Sequence, residues 1–172
     1  ASNFQSFGNG RLVHVLDGNF LAVVGIGQTQ SARYLVVDSH DHETSELHVI
    51  DAEAPEAAPR LIAPRRPAEE YDLDHNGDLF YILTNADGAE DFKIVTAPID
   101  APDPANWRDL IAHKPGRLIL DHVCLKGRLI RLEREARGRM LDDQARIIRA
   151  TLATLDPAIG DGERTALILV GR

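Results

Sequence analysis

A segment of the sequence recurs with a period of about 45 residues, and this repeat limits what the chain can fold into. The stretch that starts at Tyr34-Leu-Val-Val-Asp-Ser-His and ends at Ile50 returns 45 positions later, starting at Leu79-Phe-Tyr-Ile-Leu-Thr-Asn. A weaker third copy begins at Gly127, 50 positions after Gly77. A period in the forties, made of short strands and polar turns, is typical of a β-propeller blade. Because one blade cannot bury both of its own faces, it needs a neighbour on each side.

Short strands joined by polar turns are predicted along most of the chain. Asn76-Gly77 is a strong hairpin signal, and Asp17-Gly18-Asn19, Asp87-Gly88 and Lys126-Gly127 are further turn signals. The predicted strands are 11–16, 20–24, 33–38, 47–50, 60–63, 71–75, 79–84, 92–96, 107–112, 118–125, 128–133 and 165–170.

These strands group into blade-like units at about 20–66, 69–114 and 118–172 within a single domain. The predicted fold is therefore mostly β, with two to three four-stranded antiparallel blades that form a partial β-propeller.

One helix is predicted near the C-terminus. Apolar residues at Leu141, Ala145, Ile148, Leu152 and Leu155 follow a 4, 3, 4, 3 spacing, which is one face of a helix. We expect this helix, over 141–155, to cap one end of the blade stack. A stack of two or three blades still leaves faces uncovered, so we also expect self-association, most simply as a two-fold dimer.

The composition indicates an ordinary globular protein and excludes several classes. The chain has 172 residues, of which 44% are hydrophobic, and its net charge of −8 argues against a nucleic-acid groove, which is basic. No apolar run approaches the length of a membrane span, and the N-terminal residues do not form a signal peptide, so we expect a cytoplasmic protein. The single cysteine, Cys124, lies in an apolar stretch, where a buried and inert thiol is expected.

Several long runs in the middle of the chain resemble a known family. They are Ile26-Gly-Gln-Thr-Gln-Ser-Ala-Arg-Tyr, Ser39-His-Asp-His-Glu-Thr-Ser-Glu, Tyr81-Ile-Leu-Thr-Asn-Ala-Asp-Gly-Ala-Glu-Asp-Phe-Lys, Asn106-Trp-Arg-Asp-Leu-Ile-Ala-His and Leu120-Asp. Residues 24–133 resemble the N-terminal propeller of oligopeptidase B (protease II), a branch of the prolyl oligopeptidase family of serine peptidases. The resemblance implies a propeller that lies over an α/β-hydrolase domain, restricts entry to small peptides and belongs to an enzyme that cleaves after basic residues.

The catalytic residues of that family have no counterpart here. A Gly-x-Ser-x-Gly nucleophile elbow does not occur, and no feature of the sequence activates one serine over the others. The serines are Ser2, Ser6, Ser31, Ser39 and Ser45. The resemblance therefore implies a non-catalytic part of the lid, with a peptidase catalytic domain and a peptide substrate as its partners, and with no catalytic residue and no cofactor of its own.

The sharpest candidate for a metal site is the pair His40 and His42. Residues i and i+2 of a strand face the same side, so the two imidazoles could bind one zinc ion if a third ligand is present. The candidates for that ligand are Asp38, Glu43 and Glu46. The repeat, however, places this segment in a hairpin loop, where polar residues collect without binding a metal, so we predict no metal ligand here.

The run Asp72-Leu-Asp-His-Asn-Gly-Asp78 imitates the start of a calcium-binding loop. The twelfth position is Leu83, where a bidentate glutamate is needed, and both flanks are predicted strands rather than helices. A hairpin turn is therefore predicted.

Two further features have structural interpretations. Arginines at 128, 131, 134, 137 and 139 alternate with Glu133 and Glu135, and this mixed charge indicates a solvated face. Trp107 is expected to be a packing anchor between blades rather than a ligand platform.

The sequence thus predicts a non-catalytic propeller fragment of an oligopeptidase B-like peptidase that controls access to the active site. Two alternatives stay open: a stand-alone β-repeat module that binds proteins, and a small metal-dependent enzyme that uses His40 and His42.

Overall fold

A computed structural model describes the backbone of residues 3–7, 11–16, 20–135, 147–154 and 164–169, and the side chains of residues 24–134. The described residues form short strands, with two 3-10 helical turns at Ala86–Gly88 and Pro104–Asn106. The strands are β1 (Asn3–Phe7), β2 (Arg11–Leu16), β3 (Phe20–Gln28), β4 (Tyr34–His40), β5 (Ser45–Asp51), β6 (Arg60–Leu61), β7 (Tyr71–Asn76), β8 (Leu79–Thr84), β9 (Lys93–Pro98), β10 (Arg108–Ile111), β11 (Arg117–Leu125), β12 (Arg128–Glu135), β13 (Ile147–Thr154) and β14 (Arg164–Leu169).

The strands form three antiparallel sheets, each built from strands that follow one another in the chain. Sheet 1 has the order β1-β2-β3-β4-β5-β6, sheet 2 the order β7-β8-β9-β10, and sheet 3 the order β11-β12-β13-β14. Strands β3, β7 and β11, one from each sheet, border a shared cavity. We call them the inner strands, and each forms an inner hairpin with the strand that follows it. The predicted class, a mostly β fold of propeller-type blades, is confirmed.

The core lies between the sheets rather than inside any one of them. Strand β8 in the middle sheet is buried on both faces: Phe80 and Ile82 pack with residues of sheet 1, and Tyr81 and Leu83 pack with residues of sheet 3. Each such large side chain contributes roughly 1.5–3 kcal/mol when fully buried. Sheet 2 therefore depends on neighbours at both sides, as the repeat predicts for a blade.

The turn signals Asn76-Gly77 and Lys126-Gly127 lie where the structure turns, and Asp17-Gly18-Asn19 lies outside the described residues. Gly77 has φ +64° between β7 and β8, and Gly127 has φ +66° between β11 and β12. This left-handed conformation favours glycine, because a side chain would crowd the backbone there. The predicted strands on either side of these turns are confirmed, with end points that differ by only a few residues.

The predicted C-terminal helix is wrong where the structure describes it. Residues Ile147–Thr154 form strand β13, which pairs with β12 on one side and β14 on the other; residues 141–146 and 155 lie outside the described residues. A spacing of four residues, as between Ile148 and Leu152, fits the period of a strand as well as that of a helix. The β-branched residues of the segment favour the strand, and pairing on both edges decides it.

The prediction of a solvated face is also wrong for Arg131 and Glu133, which are buried. Arg131 is 4% exposed and Glu133 is 2% exposed, and the Nε of Arg131 donates a hydrogen bond of 2.8 Å to Oε1 of Glu133. Both residues lie on the face of β12 that also carries the buried Leu129. The alternating charges therefore mark an ion pair buried by the fold, which charge pattern alone does not reveal.

No helix in the described part of the chain combines the length and the apolar character that a membrane crossing requires.

Candidate functional site: an acidic groove along the inner strands

The two histidines of the predicted metal candidate do not meet. His40 ends strand β4, where its Nδ1 lies 2.7 Å from Oδ2 of Asp38, and His42 is exposed in the following turn. Among the residues whose side chains the structure describes, no group of three His, Cys, Asp or Glu side chains could hold a metal ion. His40 instead orients the carboxylate of Asp38.

The segment that imitates a calcium loop is divided between a strand and a turn. Asp72 and Asp74 lie within β7, and Gly77 follows in the turn to β8. The hairpin predicted for this segment is confirmed.

One serine lies beside a histidine. Oγ of Ser31 is 2.7 Å from Nδ1 of His75, and the His75 ring packs against the rings of Tyr34 and Phe80 at centroid distances of 4.9 and 5.7 Å. Nε2 of His75 is buried and has no hydrogen-bond partner among the described residues, so none of their acids orients the ring as catalysis by a serine requires. Burial lowers the pKa of His75, which keeps this packed ring neutral at pH 7.

Two other predicted structural residues lie where the sequence places them. Cys124 is buried, and burial raises the pKa of its thiol far above the usual value, which makes it inert. Trp107 packs against the core between sheets 1 and 2, its ring 6.0 Å from that of Tyr71, and its Nε1 donates to the carbonyl oxygen of Pro102 at 2.9 Å.

Three carboxylates occupy the same level of three successive sheets. Asp72 belongs to the fifth residue pair below the β7–β8 turn, and Asp121 belongs to the fifth pair below the β11–β12 turn. In sheet 1 the bonded residues Thr29 and Tyr34 form the first pair, and the fifth is Gly25 with Asp38. Each inner hairpin therefore contributes one aspartate at this level.

These carboxylates line a groove between the inner strands. Asp38, Asp72 and Asp121 all border a cavity of about 320 Å³, and Asp38 and Asp72 also border a second cavity of about 290 Å³ together with His122. We call this region the acidic groove and define it by these four residues. Its volume is within the range of small-molecule and side-chain pockets.

Gly25 makes room for the carboxylate in sheet 1. A Cβ atom at Gly25 would lie only 2.1 Å from Oδ1 of Asp38, on the neighbouring strand. The inner strand of sheet 1 thus carries no acid of its own at this level, and β4 supplies the carboxylate across the bare glycine backbone.

The electrostatics of the groove are concentrated on Asp72. Asp72 is an exposed residue, yet partial desolvation of its carboxylate raises its pKa above the ordinary value. His122 and the hydrogen bond from the Leu73 N–H, at 2.8 Å, act in the opposite direction, while Asp121 and Asp38 raise the pKa further. Like charges from the neighbouring sheets therefore converge on one carboxylate.

Asp74, two residues further along β7, has a different role. It is 5% exposed, and its Oδ1 accepts hydrogen bonds from the backbone N–H groups of Gln30 at 2.9 Å and His75 at 2.8 Å. Its Oδ2 accepts from the N–H of Cys124 at 2.7 Å. Because Gln30 follows β3 and Cys124 lies in β11, this single carboxylate joins all three sheets.

The sequence analysis missed the groove and the role of Asp74. The partners of Asp74 are 44 and 50 residues away in the chain, so no local motif contains them. The repeat gives only a weak signal for the groove, since the 50-residue offset between Gly77 and Gly127 aligns Asp72 with His122 rather than with its neighbour Asp121. The aspartate of sheet 1 departs from the repeat because it is on β4 rather than β3.

The family match covers sheet 2 in full and sheets 1 and 3 in part. The model of the prolyl oligopeptidase N-terminal β-propeller domain matches residues 9–140. The chain belongs to this propeller family. Most of the residues that the structure describes fall within the matched segment.

Curated relatives share the middle of the chain. A dipeptidyl aminopeptidase BI from Pseudoxanthomonas mexicana is 38% identical over 91 residues, which is 53% of this chain and 12% of the relative. Protease 2 from Moraxella lacunata is 29% identical over 110 residues, 64% of this chain and 16% of the relative. The propeller chain thus spans less than a fifth of the length of these two relatives.

Solved structures show the same fold. Oligopeptidase B from Leishmania major superimposes with a TM-score of 0.72 and 19% identity, over 94% of this chain and 24% of the other. Oligopeptidase B from Trypanosoma brucei, with covalently bound antipain in its closed form, gives a TM-score of 0.70 and 20% identity over 91% of this chain and 23% of the other.

Proposed function

We propose that this propeller chain is a non-catalytic segment of a serine oligopeptidase of the oligopeptidase B type. In the complete enzyme, its blades lie over the catalytic domain and admit only short peptides, which are cleaved after basic residues. Membership of the propeller family and the likeness to two oligopeptidase B structures support this proposal.

The observation that carries the proposal is the acidic groove on the inner strands. Strands β3, β7 and β11 border one cavity, and each inner hairpin presents a carboxylate at the same level. The inner strands of a propeller surround its central channel, so a peptide that passes along this channel meets negative charge. A field of this sign raises the local concentration of basic peptides and opposes acidic ones.

The experiment is a chimera in which residues 20–134 replace the matching stretch of Protease 2 from Moraxella lacunata. We expect the chimera to hydrolyse a short arginyl reporter peptide and to leave intact a folded protein that carries the same cleavage sequence in a loop. Equal cleavage of both substrates would contradict the gating function.

The chain by itself is the matched control. We expect it to release no product from the arginyl reporter, because its one serine–histidine contact, Ser31 with His75, lacks an orienting acid among the described residues. Turnover that a serine-directed phosphonate blocks would overturn the non-catalytic assignment.

A second candidate function is a stand-alone β-repeat module that binds other proteins. Ile26, Leu120 and Leu125 are large apolar residues that remain exposed, Ile26 to 66%. A single long apolar side chain at the surface is ordinary, but exposure on two inner strands favours a covering partner. Stable assembly of the isolated chain above 18.9 kDa in sedimentation equilibrium would favour this candidate over the peptidase segment.

A further inference from the structure

The acidic groove contains more hydrogen-bond acceptors than its own residues use. A carboxylate can accept about four hydrogen bonds, whereas among the described residues Asp72 and Asp121 each accept from one N–H donor, Leu73 at 2.8 Å and His122 at 2.7 Å. None of the ion pairs among the side chains described at 24–134 joins a lysine or arginine to either of them or to Asp38. Among the described side chains the groove is therefore rich in acceptors, and no lysine or arginine lines its two cavities.

A buried histidine at the groove adds an independent indication of a ligand. His122 is 5% exposed and borders the cavity next to Asp72. Its Nε2 lies 2.9 Å from the carbonyl oxygen of Tyr81, which can only accept, so Nε2 carries the proton. Its Nδ1 is buried and has no hydrogen-bond partner among the described residues. Buried polar atoms without partners are rare in proteins, and each calls for an explanation.

These observations define the chemistry of a ligand. Three carboxylates accept hydrogen bonds and carry negative charge, so a complementary group must carry several N–H donors and a positive charge. A guanidinium has five donors in a planar fork, and an ammonium group has three. Among the described residues, no three His, Cys, Asp or Glu side chains, those of the groove included, are placed close enough together to hold a metal ion.

We propose that the level of Asp38, Asp72 and Asp121 is a binding site for the basic side chain of a peptide, with a guanidinium preferred over an ammonium. The site rests on the proposed function only for the source of its ligand, a peptide that crosses the propeller toward the active site. The site retains basic peptides inside the propeller, apart from any pocket of the catalytic domain.

Gly25 is the positioning residue of this site. Its missing side chain lets Asp38 lie across β3 toward the groove, and a Cβ atom there would force the carboxylate away, since the two atoms would be 2.1 Å apart. Gly27, two residues along the same strand, has no atom within 4 Å of the place where its Cβ would be. Alanine at these two positions therefore separates the placement of Asp38 from any general effect of alanine in β3.

The test is calorimetric titration of the isolated chain with N-acetyl-arginine amide, and with the citrulline analogue, which has nearly the same shape but no charge. We expect saturable binding of the arginine compound at least about tenfold tighter than that of the citrulline compound, the low end of what a charge-assisted hydrogen bond provides. The lysine analogue should bind, but more weakly than arginine.

Two pairs of variants locate the site. Asp72→Asn should weaken arginine binding about tenfold, and Asp100→Asn, which removes the same charge from an exposed turn, should leave it unchanged. Gly25→Ala should weaken binding without any change of net charge, and Gly27→Ala should not. Circular dichroism and melting curves show which variants keep the native fold.

Each outcome decides the proposal. Absence of saturable arginine binding to the wild-type chain would overturn it, as would equal loss in Asp72→Asn and Asp100→Asn, which would show only a long-range charge effect. Equal losses in both glycine variants would contradict the role of Gly25. These results are independent of the chimera, because a propeller that excludes folded proteins without binding arginine would retain the gating function and lose only this site.

Discussion

Two aspartates on one strand differ in their role. Asp74 joins the three sheets through hydrogen bonds, and we call this junction the seam, whereas Asp72 lines the acidic groove. Asp74 and Asp72 are two residues apart on β7 and therefore point to the same face of the strand. Asp74 is buried and receives three backbone N–H groups from three parts of the chain. Asp72 receives one, from its own neighbour Leu73, and faces the carboxylates of the next sheets.

The comparison teaches that hydrogen-bond accounting, rather than residue type, separates structural from functional acids. A carboxylate whose oxygens are occupied by backbone donors stabilises the fold, because removing it leaves buried donors without partners. A carboxylate whose desolvation raises its pKa is disfavoured in its ionised form, and the cation proposed for the groove would offset this cost. Three substitutions, two of them also followed over pH, test this account of the contacts between sheets and of the groove, and they are given from the largest effect to the smallest.

The largest effect is expected for Asp74→Ala. The substitution leaves the N–H groups of Gln30, His75 and Cys124 without their acceptor, and each buried unsatisfied donor costs about 1–3 kcal/mol. We expect the free energy of unfolding in urea to fall by roughly 3 kcal/mol or more. Asp100→Asn is the control, with a change of less than about 0.5 kcal/mol. A loss at Asp74 as small as in that control would show that the three sheets do not depend on this carboxylate.

An intermediate effect is expected for Tyr71→Phe, at the contact between sheets 1 and 2. The Tyr71 hydroxyl accepts from the N–H of Leu47 at 2.8 Å and from that of Ala63 at 3.2 Å, and donates to the carbonyl oxygen of Ala63 at 2.7 Å. Its removal should cost about 1–3 kcal/mol of unfolding free energy, measured in urea at pH 7.

The same tyrosine gives a test at alkaline pH. Burial raises the pKa of Tyr71 to about 12, above the value of about 10 for an exposed tyrosine. Since the folded state holds its proton more tightly than the unfolded state, the stability from this group is present below pH 10 and is lost as the pH rises toward 12. The gap between wild type and Tyr71→Phe should therefore narrow over this window. A constant gap would show that the hydroxyl is not buried as described.

The smallest effect, and one of opposite sign, is expected for Asp72→Asn. The raised pKa of Asp72 means that its ionised form is disfavoured in the folded state, so wild type loses stability as the pH rises from the unfolded value near 4. Asparagine removes this penalty. The variant should melt slightly above wild type at pH 7, and the difference should vanish near pH 3. Destabilisation at pH 7 would show that Asp72 is a structural acid like Asp74.

Much of the fold was predictable because short sequence patterns, the hairpin turns and the strand-forming residues beside them, determine it. Asn76-Gly77 and Lys126-Gly127 mark hairpins whose backbone needs a glycine at positive φ, and the flanking strands follow from β-branched and aromatic residues. The repeat fixes how such hairpins are grouped. The segment Ile147–Thr154 was predicted wrongly as part of a helix, because its apolar spacing fits either period and only pairing with β12 and β14 resolves it.

The site was less predictable, because it depends on contacts between copies of the repeat. Asp74 meets Gln30 and Cys124 only once three sheets are stacked, and Arg131 with Glu133 becomes buried only when sheet 3 covers sheet 2. The sequence interpretation instead concentrated on His40 and His42. They are close in the chain, but His40 contacts Asp38 and His42 is exposed in a turn. Residues that act between repeats are found by aligning the repeats to one another, not by searching for short motifs.

The measurement that tests the central claim most directly is a titration of the ¹⁵N-labelled chain with N-acetyl-arginine amide, followed by the chemical shifts of its backbone amides. The account predicts saturable shifts at Gly25, Asp72 and Asp121, with the donors to Asp74 at Gln30 and His75 unchanged. Shifts centred on Gln30 and His75, or no saturable shifts at any of the five, would contradict the division between a structural seam and a cation-binding groove.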